Sequence, residues 1–215
     1  GAIELIMHPS DPNTLYAGFW QRLRRPYRFD SGGPNGGIFK TTDGGASWVK
    51  LTNGLPEGDT GKIGLAICRS KPDVLMAFVE HGYQPEEKLP DGKDNPEYED
   101  MAKLGTGIYR SEDGGSSWQY MNRYNNRPFY YSHIYANPSN ADELWSPANK
   151  LWRSPDAGET WILEPSAKDD FQDIWIDPKD ADRMIVTCDG GTQVTLTGGT
   201  TWSTFWKLWS RTGRS

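Results

Sequence analysis

The side chains able to do chemistry fall into three groups. Carboxylates come first: Glu80, Asp170 and Asp173 stand at the ends of alternating apolar stretches, where strands of different units would converge. Two carboxyl groups at a controlled separation, one protonated and one ionised, can cleave a glycosidic bond. Glu80 with Asp170 or Asp173 is therefore the candidate catalytic pair; the competing reading is a set of solvated loop carboxylates. The second group is cationic and aromatic. In the run Trp20-Gln21-Arg22-Leu23-Arg24-Arg25-Pro26-Tyr27-Arg28-Phe29, arginines alternate with rings. Arg22, Arg24, Arg25 and Arg28 are suited to clamp a carboxylate or phosphate, with Trp20 as a platform. They can equally stack on their own rings in a solvated loop, or clasp the acidic stretch downstream. His81, Arg127 and Tyr131 complete the ligand-binding candidates, with Asn149 and Asp169 near them in the same reading.

The third group, His8, His81 and His133, lacks metal-ligand spacing, so no metal is expected. No glycine-rich phosphate loop opens a helix and there is no nucleophile elbow, so no cofactor is expected either. The segment 82–105 carries Glu86, Glu87, Asp91, Asp94, Glu97, Glu99 and Asp100 and reads as a charged excursion.

The elements that must position these groups announce themselves by repetition. Thr41-Thr42-Asp43-Gly44-Gly45-Ala46-Ser47-Trp48 returns as Ser111-Glu112-Asp113-Gly114-Gly115-Ser116-Ser117-Trp118 and as Ser154-Pro155-Asp156-Ala157-Gly158-Glu159-Thr160-Trp161. A worn fourth copy, Thr195-Leu196-Thr197-Gly198-Gly199-Thr200-Thr201-Trp202, has Thr197 in place of the aspartate. An Asp followed by small residues closes a turn, its carboxylate accepting backbone N–H bonds. Each copy follows a short alternating stretch such as Gly37-Ile38-Phe39-Lys40 and ends in a Trp that wedges the next strand. A calcium loop would need several more oxygen ligands than the one carboxylate each copy offers. Asp43, Asp113 and Asp156, with Trp48, Trp118, Trp161 and Trp202, are therefore read as structural.

A second phrase precedes each copy: His8-Pro9-Ser10-Asp11, Ser70-Lys71-Pro72-Asp73, Asn137-Pro138-Ser139-Asn140 and Asp177-Pro178-Lys179-Asp180, with apolar alternation on both sides. One unit is thus strand, Pro/Asp turn, strand, connection, strand, Asp turn, strand. That is a four-stranded antiparallel meander, the blade of a β-propeller. The fold class is all-β, with blades expected near 1–53, 61–122, 128–165 and 171–209 and a tail at 210–215. His133 is expected in a strand reading Tyr130-Tyr131-Ser132-His133-Ile134-Tyr135. The third and fourth units are lean, whereas the first two carry long insertions between their second and third strands. Insertions on one face of a repeat protein mark the binding face.

These repeats resemble the Asp-box or BNR repeats of sialidase-like and sortilin-type propellers. The chain is most similar to an internal part of the large bacterial secreted proteins of that class, often labelled glycosyl hydrolases. Arg25-Pro26-Tyr27-Arg28-Phe29-Asp30, Asn53-Gly54-Leu55-Pro56, Arg127-Pro128-Phe129-Tyr130-Tyr131-Ser132 and Ile174-Trp175-Ile176-Asp177-Pro178 carry the similarity beyond the turns. A sialidase would want an Arg-Ile-Pro motif and three arginines from separate blades, and Arg127-Pro128 lacks the middle residue. Relatives often carry histidines where this chain has Asp169-Asp170-Phe171-Gln172. The resemblance implies a secreted, periplasmic or cell-surface propeller module that binds protein or glycan through its insertion-bearing face. Its alternative is part of a sialidase- or xyloglucanase-like glycoside hydrolase.

Composition agrees with this reading. Many Gly and Pro with short strands mark an all-β repeat fold, and 10 Trp, 10 Tyr and 7 Phe carry burial that a 35% hydrophobic share would not. A net charge of −6 argues against a nucleic-acid surface, and no apolar run has the length of a membrane span. Cys68 and Cys188 fall in units that do not adjoin, so they are expected as small buried hydrophobes and not as a bridge. Four blades of a larger ring would form an open arc, leaving apolar faces for other blades or a second domain of the parent protein.

Overall fold

The computed structural model describes residues 1–82, 88–94, 105–165 and 169–204. Its strands form four antiparallel four-stranded sheets, the blades of a β-propeller. The first contains β1 (Ala2–Met7), β2 (Leu15–Phe19), β5 (Gly37–Thr41) and β6 (Val49–Leu51), in that order. Between β2 and β5 stands a separate hairpin, β3 (Arg22–Arg25) with β4 (Arg28–Ser31). The second blade is β7 (Thr60–Cys68), β8 (Lys71–His81), β9 (Gly107–Ser111) and β10 (Gln119–Asn122). The third is β11 (Tyr135–Ala136), β12 (Leu144–Pro147), β13 (Leu151–Ser154) and β14 (Ile162–Leu163). The fourth is β15 (Phe171–Ile176), β16 (Met184–Cys188), β17 (Gly191–Thr195) and β18 (Ser203–Thr204). Residues 205–209, expected in the fourth blade, and the tail 210–215 lie outside the described residues.

Both long insertions join second to third strands, as expected. Glu86, Glu87, Glu97, Glu99 and Asp100 of the acidic excursion lie outside the described residues. One expectation fails. Pro128–Tyr131 forms a single helical turn, α1, and the following strand is only the pair Tyr135–Ala136. Arg127 takes a left-handed conformation ahead of it (φ 53°), and Pro128, with its fixed φ and missing N–H, fits the first turn of a helix better than a sheet ladder.

The Asp turns tie themselves shut with side chains. Asp113 accepts from Ser111 Oγ (2.8 Å), the Ser117 amide (2.8 Å) and Ser117 Oγ (2.6 Å), while Ser111 Oγ accepts from the Gly115 amide (2.8 Å). Asp43 and Asp156 repeat the pattern, and donation from these hydroxyls and amides holds the carboxyls below their usual range. In the worn copy Thr197 Oγ1 accepts from the Thr201 amide (3.0 Å) and meets Thr201 Oγ1 at 2.9 Å. A single hydroxyl thus keeps part of the tie that a two-oxygen carboxylate makes.

The core lies between blades. Tyr16 and Ile38 of the first blade pack on Ile63, Leu65 and Val79 of the second. Met76, Phe78 and Ile108 of the second meet Ile134 and Leu144 of the third. Trp145 and Leu151 of the third meet Phe171, Ile174 and Val186 of the fourth. The turn tryptophans join the layer ahead of their own blade: Trp118 the first, Trp161 the second, Trp202 the third. Among the described residues no sheet stands ahead of the first blade, and Trp48 is 37% exposed.

The outer faces of the end blades are bare for the same reason. Leu5, Ile134 and Ile174 hold the same place ahead of their Pro turns, yet Leu5 is 58% exposed and the other two 3%. Ile185 matches the buried Tyr16 and Trp145 in position and is itself exposed, beside the 51%-exposed Trp175. Cys68 and Cys188 are both free thiols, the first buried against the Asn137 carbonyl.

Candidate functional site

The insertion of the first blade folds into a hairpin because Arg22–Arg25 and Arg28–Ser31 flank a Pro26-Tyr27 turn and pair in register, Arg25 opposite Arg28. The hairpin is tied to the second blade by a chain of hydrogen bonds. Trp20 Nε1 donates to Ser31 Oγ (3.1 Å), which donates to Glu80 Oε2 (2.6 Å), which also accepts from the Lys62 amide (2.7 Å). Burial pushes the Glu80 carboxyl up, opposed by these donors and by the Lys62 charge. Any side chain at Gly61 would drive its Cβ to 2.2 Å from Glu80 Oε2, so glycine there makes room for the carboxylate.

Above this anchor the rings and arginines gather. The Arg22 guanidinium lies over Trp20 (5.2 Å) and Phe29 (5.7 Å). Phe29 meets Phe129 of α1 edge-on at 5.2 Å, joining the first blade's insertion to the segment that enters the third blade. Arg127 stands over Phe129, Tyr130 and Tyr131 at 5.8, 5.2 and 5.9 Å. The Tyr131 hydroxyl donates to Asp170 Oδ1 (2.5 Å), which also accepts from Gln172 Nε2 (3.0 Å). Burial, then the bond to Asp170, pushes the Tyr131 hydroxyl up to about 12. A cleft of about 740 Å³ opens beside the hairpin, lined by Arg22, Arg28, Phe29, Asp30 and Asp59 among others. Arg28 Nε donates to Asp30 (2.8 Å), and Tyr27 at the tip is exposed.

The structure thus brings together Trp20, Arg22, Arg28, Glu80, Arg127, Tyr131 and Asp170 from the expected set. Arg24 and Arg25 are exposed on β3, with Arg25 Nη1 3.5 Å from the Tyr27 hydroxyl. His81 belongs elsewhere: its Nε2 donates to the Glu57 carbonyl (2.7 Å), and it lines a second cavity between the first two blades. Asn149 Oδ1 accepts from Asn126 (2.6 Å), and Asp169 pairs with Lys150.

Asp173 points to a different assembly, which the residues alone did not suggest. Its Oδ1 accepts from the Tyr135 hydroxyl (2.5 Å), and its charge is felt by Glu4, His133 and Tyr135. Lys62, buried in the first strand of the second blade, donates to the Tyr130 carbonyl (2.6 Å) and to His133 Nε2 (3.1 Å). Burial and then the Lys62 charge pull His133 down to about 4, so the imidazole is neutral at pH 7 and Nε2 is the accepting nitrogen. Burial also lowers Lys62 and raises Glu4. Glu4, Lys62, His133 and Asp173 come from, or stand beside, the first strands of all four blades and form a polar centre. One signal was available: Glu4, His133 and Asp173 each stand five residues ahead of their turn prolines, Pro9, Pro138 and Pro178.

Among the described residues no group of three or more His, Cys, Asp or Glu side chains is placed to hold a metal ion. None of their helices is long and apolar enough to cross a membrane.

No known family profile and no curated protein matches the sequence. Solved structures do. The GH74 xyloglucanase from Xanthomonas campestris aligns at a TM-score of 0.60 and 16% identity over 98% of this chain and 30% of that one. The Niastella koreensis GH74 enzyme aligns at 0.62 and 15%, over 93% and 29%. YCF48 bound to D1 peptide aligns at 0.55 and 15%, over 94% and 52%. The chain spans less than a third of the GH74 enzymes and about half of YCF48. At these identities the likeness is one of fold: the chain has the fold of a β-propeller.

Proposed function

We propose that this chain is an Asp-box module of the BNR or sortilin type, from a secreted, periplasmic or cell-surface protein, and that it binds protein or glycan through its insertion-bearing face. The contact of Phe29 with Phe129 carries the reading, because it merges the hairpin arginines and the Arg127–Tyr131 turn into one surface drawn from two separate parts of the chain. Tryptophan, tyrosine and arginine are the side chains that dominate recognition energies, since they offer large contact area and directed donors together. Phe129, Tyr130 and Tyr27 present exposed rings there, as stacking on sugars or peptide side chains requires. One solved propeller of similar fold is described as bound to a peptide and another as a xyloglucanase, which is consistent with either ligand class. The hydrolase alternative has weaker support. Glu80, Asp170 and Asp173 each already accept two hydrogen bonds from protein donors.

A screen of the chain against glycan and peptide arrays tests the proposal. Saturable binding that falls about tenfold or more in Arg22→Ala/Arg127→Ala, two hot-spot-type residues, is the expected result. Unchanged affinity in that variant refutes it. Shortening of a bound oligosaccharide that stops with Glu80→Gln would favour the hydrolase instead.

A further inference from the structure

Lys62 anchors both halves of the insertion-bearing face from below. Its backbone amide donates to Glu80 Oε2 (2.7 Å), the same oxygen that accepts from Ser31 of the hairpin (2.6 Å). Its ammonium group turns the other way and donates to the Tyr130 carbonyl (2.6 Å) and to His133 Nε2 (3.1 Å). Both of those acceptors belong to the short stretch that carries the chain from α1 into the third blade. β7 lets that stretch come close: a Cβ at Gly64 would fall 2.2 Å from the Ser132 carbonyl oxygen, so glycine there admits the backbone. α1 packs on β7 and β8 and carries Phe129 to its contact with Phe29. The Tyr131–Asp170 bond ties the same turn to the fourth blade, whereas Lys62 ties it to the second, to which the hairpin is also fastened.

The tie depends on the charge of one ring. His133 Nε2 can accept from an ammonium group only while it carries no proton, and a proton added there sets two cations about 3 Å apart. Because the ring and the Tyr130 carbonyl lie on one short stretch, repulsion of the ring from Lys62 draws both acceptors away together. The groups that face this pocket come from every inner strand: Glu4 of β1, Lys62 of β7, Tyr135 of β11 and Asp173 of β15, with Glu80 of β8 behind Lys62. Two of the three carboxylates are engaged, Asp173 by the Tyr135 hydroxyl and the Ile174 amide, Glu80 by Ser31 and the Lys62 amide. Burial raises Glu4 and Glu80, so these counter-charges are themselves withdrawn as acid is added. Arg127, ahead of α1, adds a further cation to the turn.

We propose that Lys62 is the positioning residue of the insertion-bearing face and that protonation of His133 releases the Arg127–Tyr131 turn from it, so that the joined surface of hairpin and turn comes apart in acid. Its functional meaning rests on the reading of that face as a binding surface, but the coupling is tested without any ligand.

NMR of the isotope-labelled chain from about pH 7 to pH 3 reads the contact and the ring together. The cross-peak between the Phe29 and Phe129 rings is expected to disappear, and the Phe129 and Tyr130 amides to shift, with the midpoint of the His133 ring itself, near 4. The Phe19–Phe39 cross-peak inside the first blade should persist through that step. His133→Gln keeps an acceptor for Lys62 without titrating there, and should preserve the Phe29–Phe129 contact about one pH unit lower. Lys62→Met should weaken the contact at pH 7 and move the His133 midpoint up by about one unit or more. The proposal is overturned if the contact survives with His133 protonated, if His133→Gln loses it at the wild-type midpoint, or if it vanishes only together with Phe19–Phe39. The wild-type midpoints decide even where a variant does not fold. A chain that binds on the arrays yet keeps the contact in acid removes this inference and leaves the binding face standing; a chain with no ligand on the arrays does the reverse.

Discussion

Replacing Trp118 and Trp48 by alanine should have very different consequences, although the two residues close the same turn. Trp118 is 6% exposed and fills the layer between the first and second blades with Tyr16, Ile63 and Leu65. Truncating a buried tryptophan costs about 3–5 kcal/mol. Its indole N–H is buried without a partner, a defect that already subtracts about 1–3 kcal/mol from the native state. Trp118→Ala should therefore fall at the low end, about 3 kcal/mol. Trp118→Phe keeps the ring and deletes the orphan donor, and should cost about 1 kcal/mol or less. Among the described residues no blade stands in front of Trp48, and its N–H donates to the Gly45 carbonyl at 3.2 Å. Trp48→Ala should cost about 1 kcal/mol, one hydrogen bond and some half-exposed area. Urea unfolding followed by circular dichroism at low protein concentration reads these as midpoint shifts, with Trp118→Ala about 1 M below wild type for slopes of about 2–3 kcal/mol/M. Equal losses at the two tryptophans would refute the inter-blade account. So would a Trp118→Phe variant as unstable as Trp118→Ala.

Other expectations concern the turns, the polar centre and the bare faces. Asp156→Ala should destabilise by about 1–2 kcal/mol, discounted for solvent access, and Thr197→Ala by distinctly less; equal shifts in urea would show that the carboxylate is not the tie. Asp113 is held near 2, below the roughly 3.9 of an unfolded aspartate. Its contribution is complete above about pH 4 and disappears as pH falls towards 2, so Asp113→Asn should flatten the acid limb of stability over that window, and an unchanged limb would count against the bonds. His133, held near 4 against about 6.5 unfolded, should show no imidazole NMR titration between pH 5.5 and 7.5. Because the unfolded chain takes that proton first, stability is lost as pH falls from about 6.5 to 4; a titration midpoint near 6.5 would mean that Lys62 and burial do not govern the ring. Finally, the bare faces of the first and fourth blades should drive self-association, visible by sedimentation and reduced in Leu5→Lys/Trp175→Lys; a wild-type chain monomeric at high concentration would contradict this.

The repeating unit was legible from the sequence because its causes are local. An aspartate flanked by serine or threonine and followed by glycine closes a turn with its own neighbours. The alternation before it, Gly37 to Lys40 or Leu151 to Ser154, needs no distant residue to be read. The insertion face was legible too, since unit lengths show where the chain has been elaborated. The helical turn at Pro128 escaped because Tyr-Tyr-Ser-His-Ile-Tyr alternates like a strand, and only the left-handed Arg127 and the proline ring set the backbone otherwise.

Contacts between blades were not legible, and they decide what the candidate residues do. Glu80 reads as a free carboxylate until Ser31, some fifty positions earlier, is seen donating to it. His81 is adjacent in sequence yet turns into a different cavity, because successive residues of a strand face opposite sides. Leu5 and Ile174 occupy the same place in their repeats, and only the presence or absence of a neighbouring sheet makes one exposed and the other buried. Periodicity specifies which face of a blade is apolar; which blade covers it, and which charges thereby lose water and shift, is settled by the packing of sheets far apart in the chain.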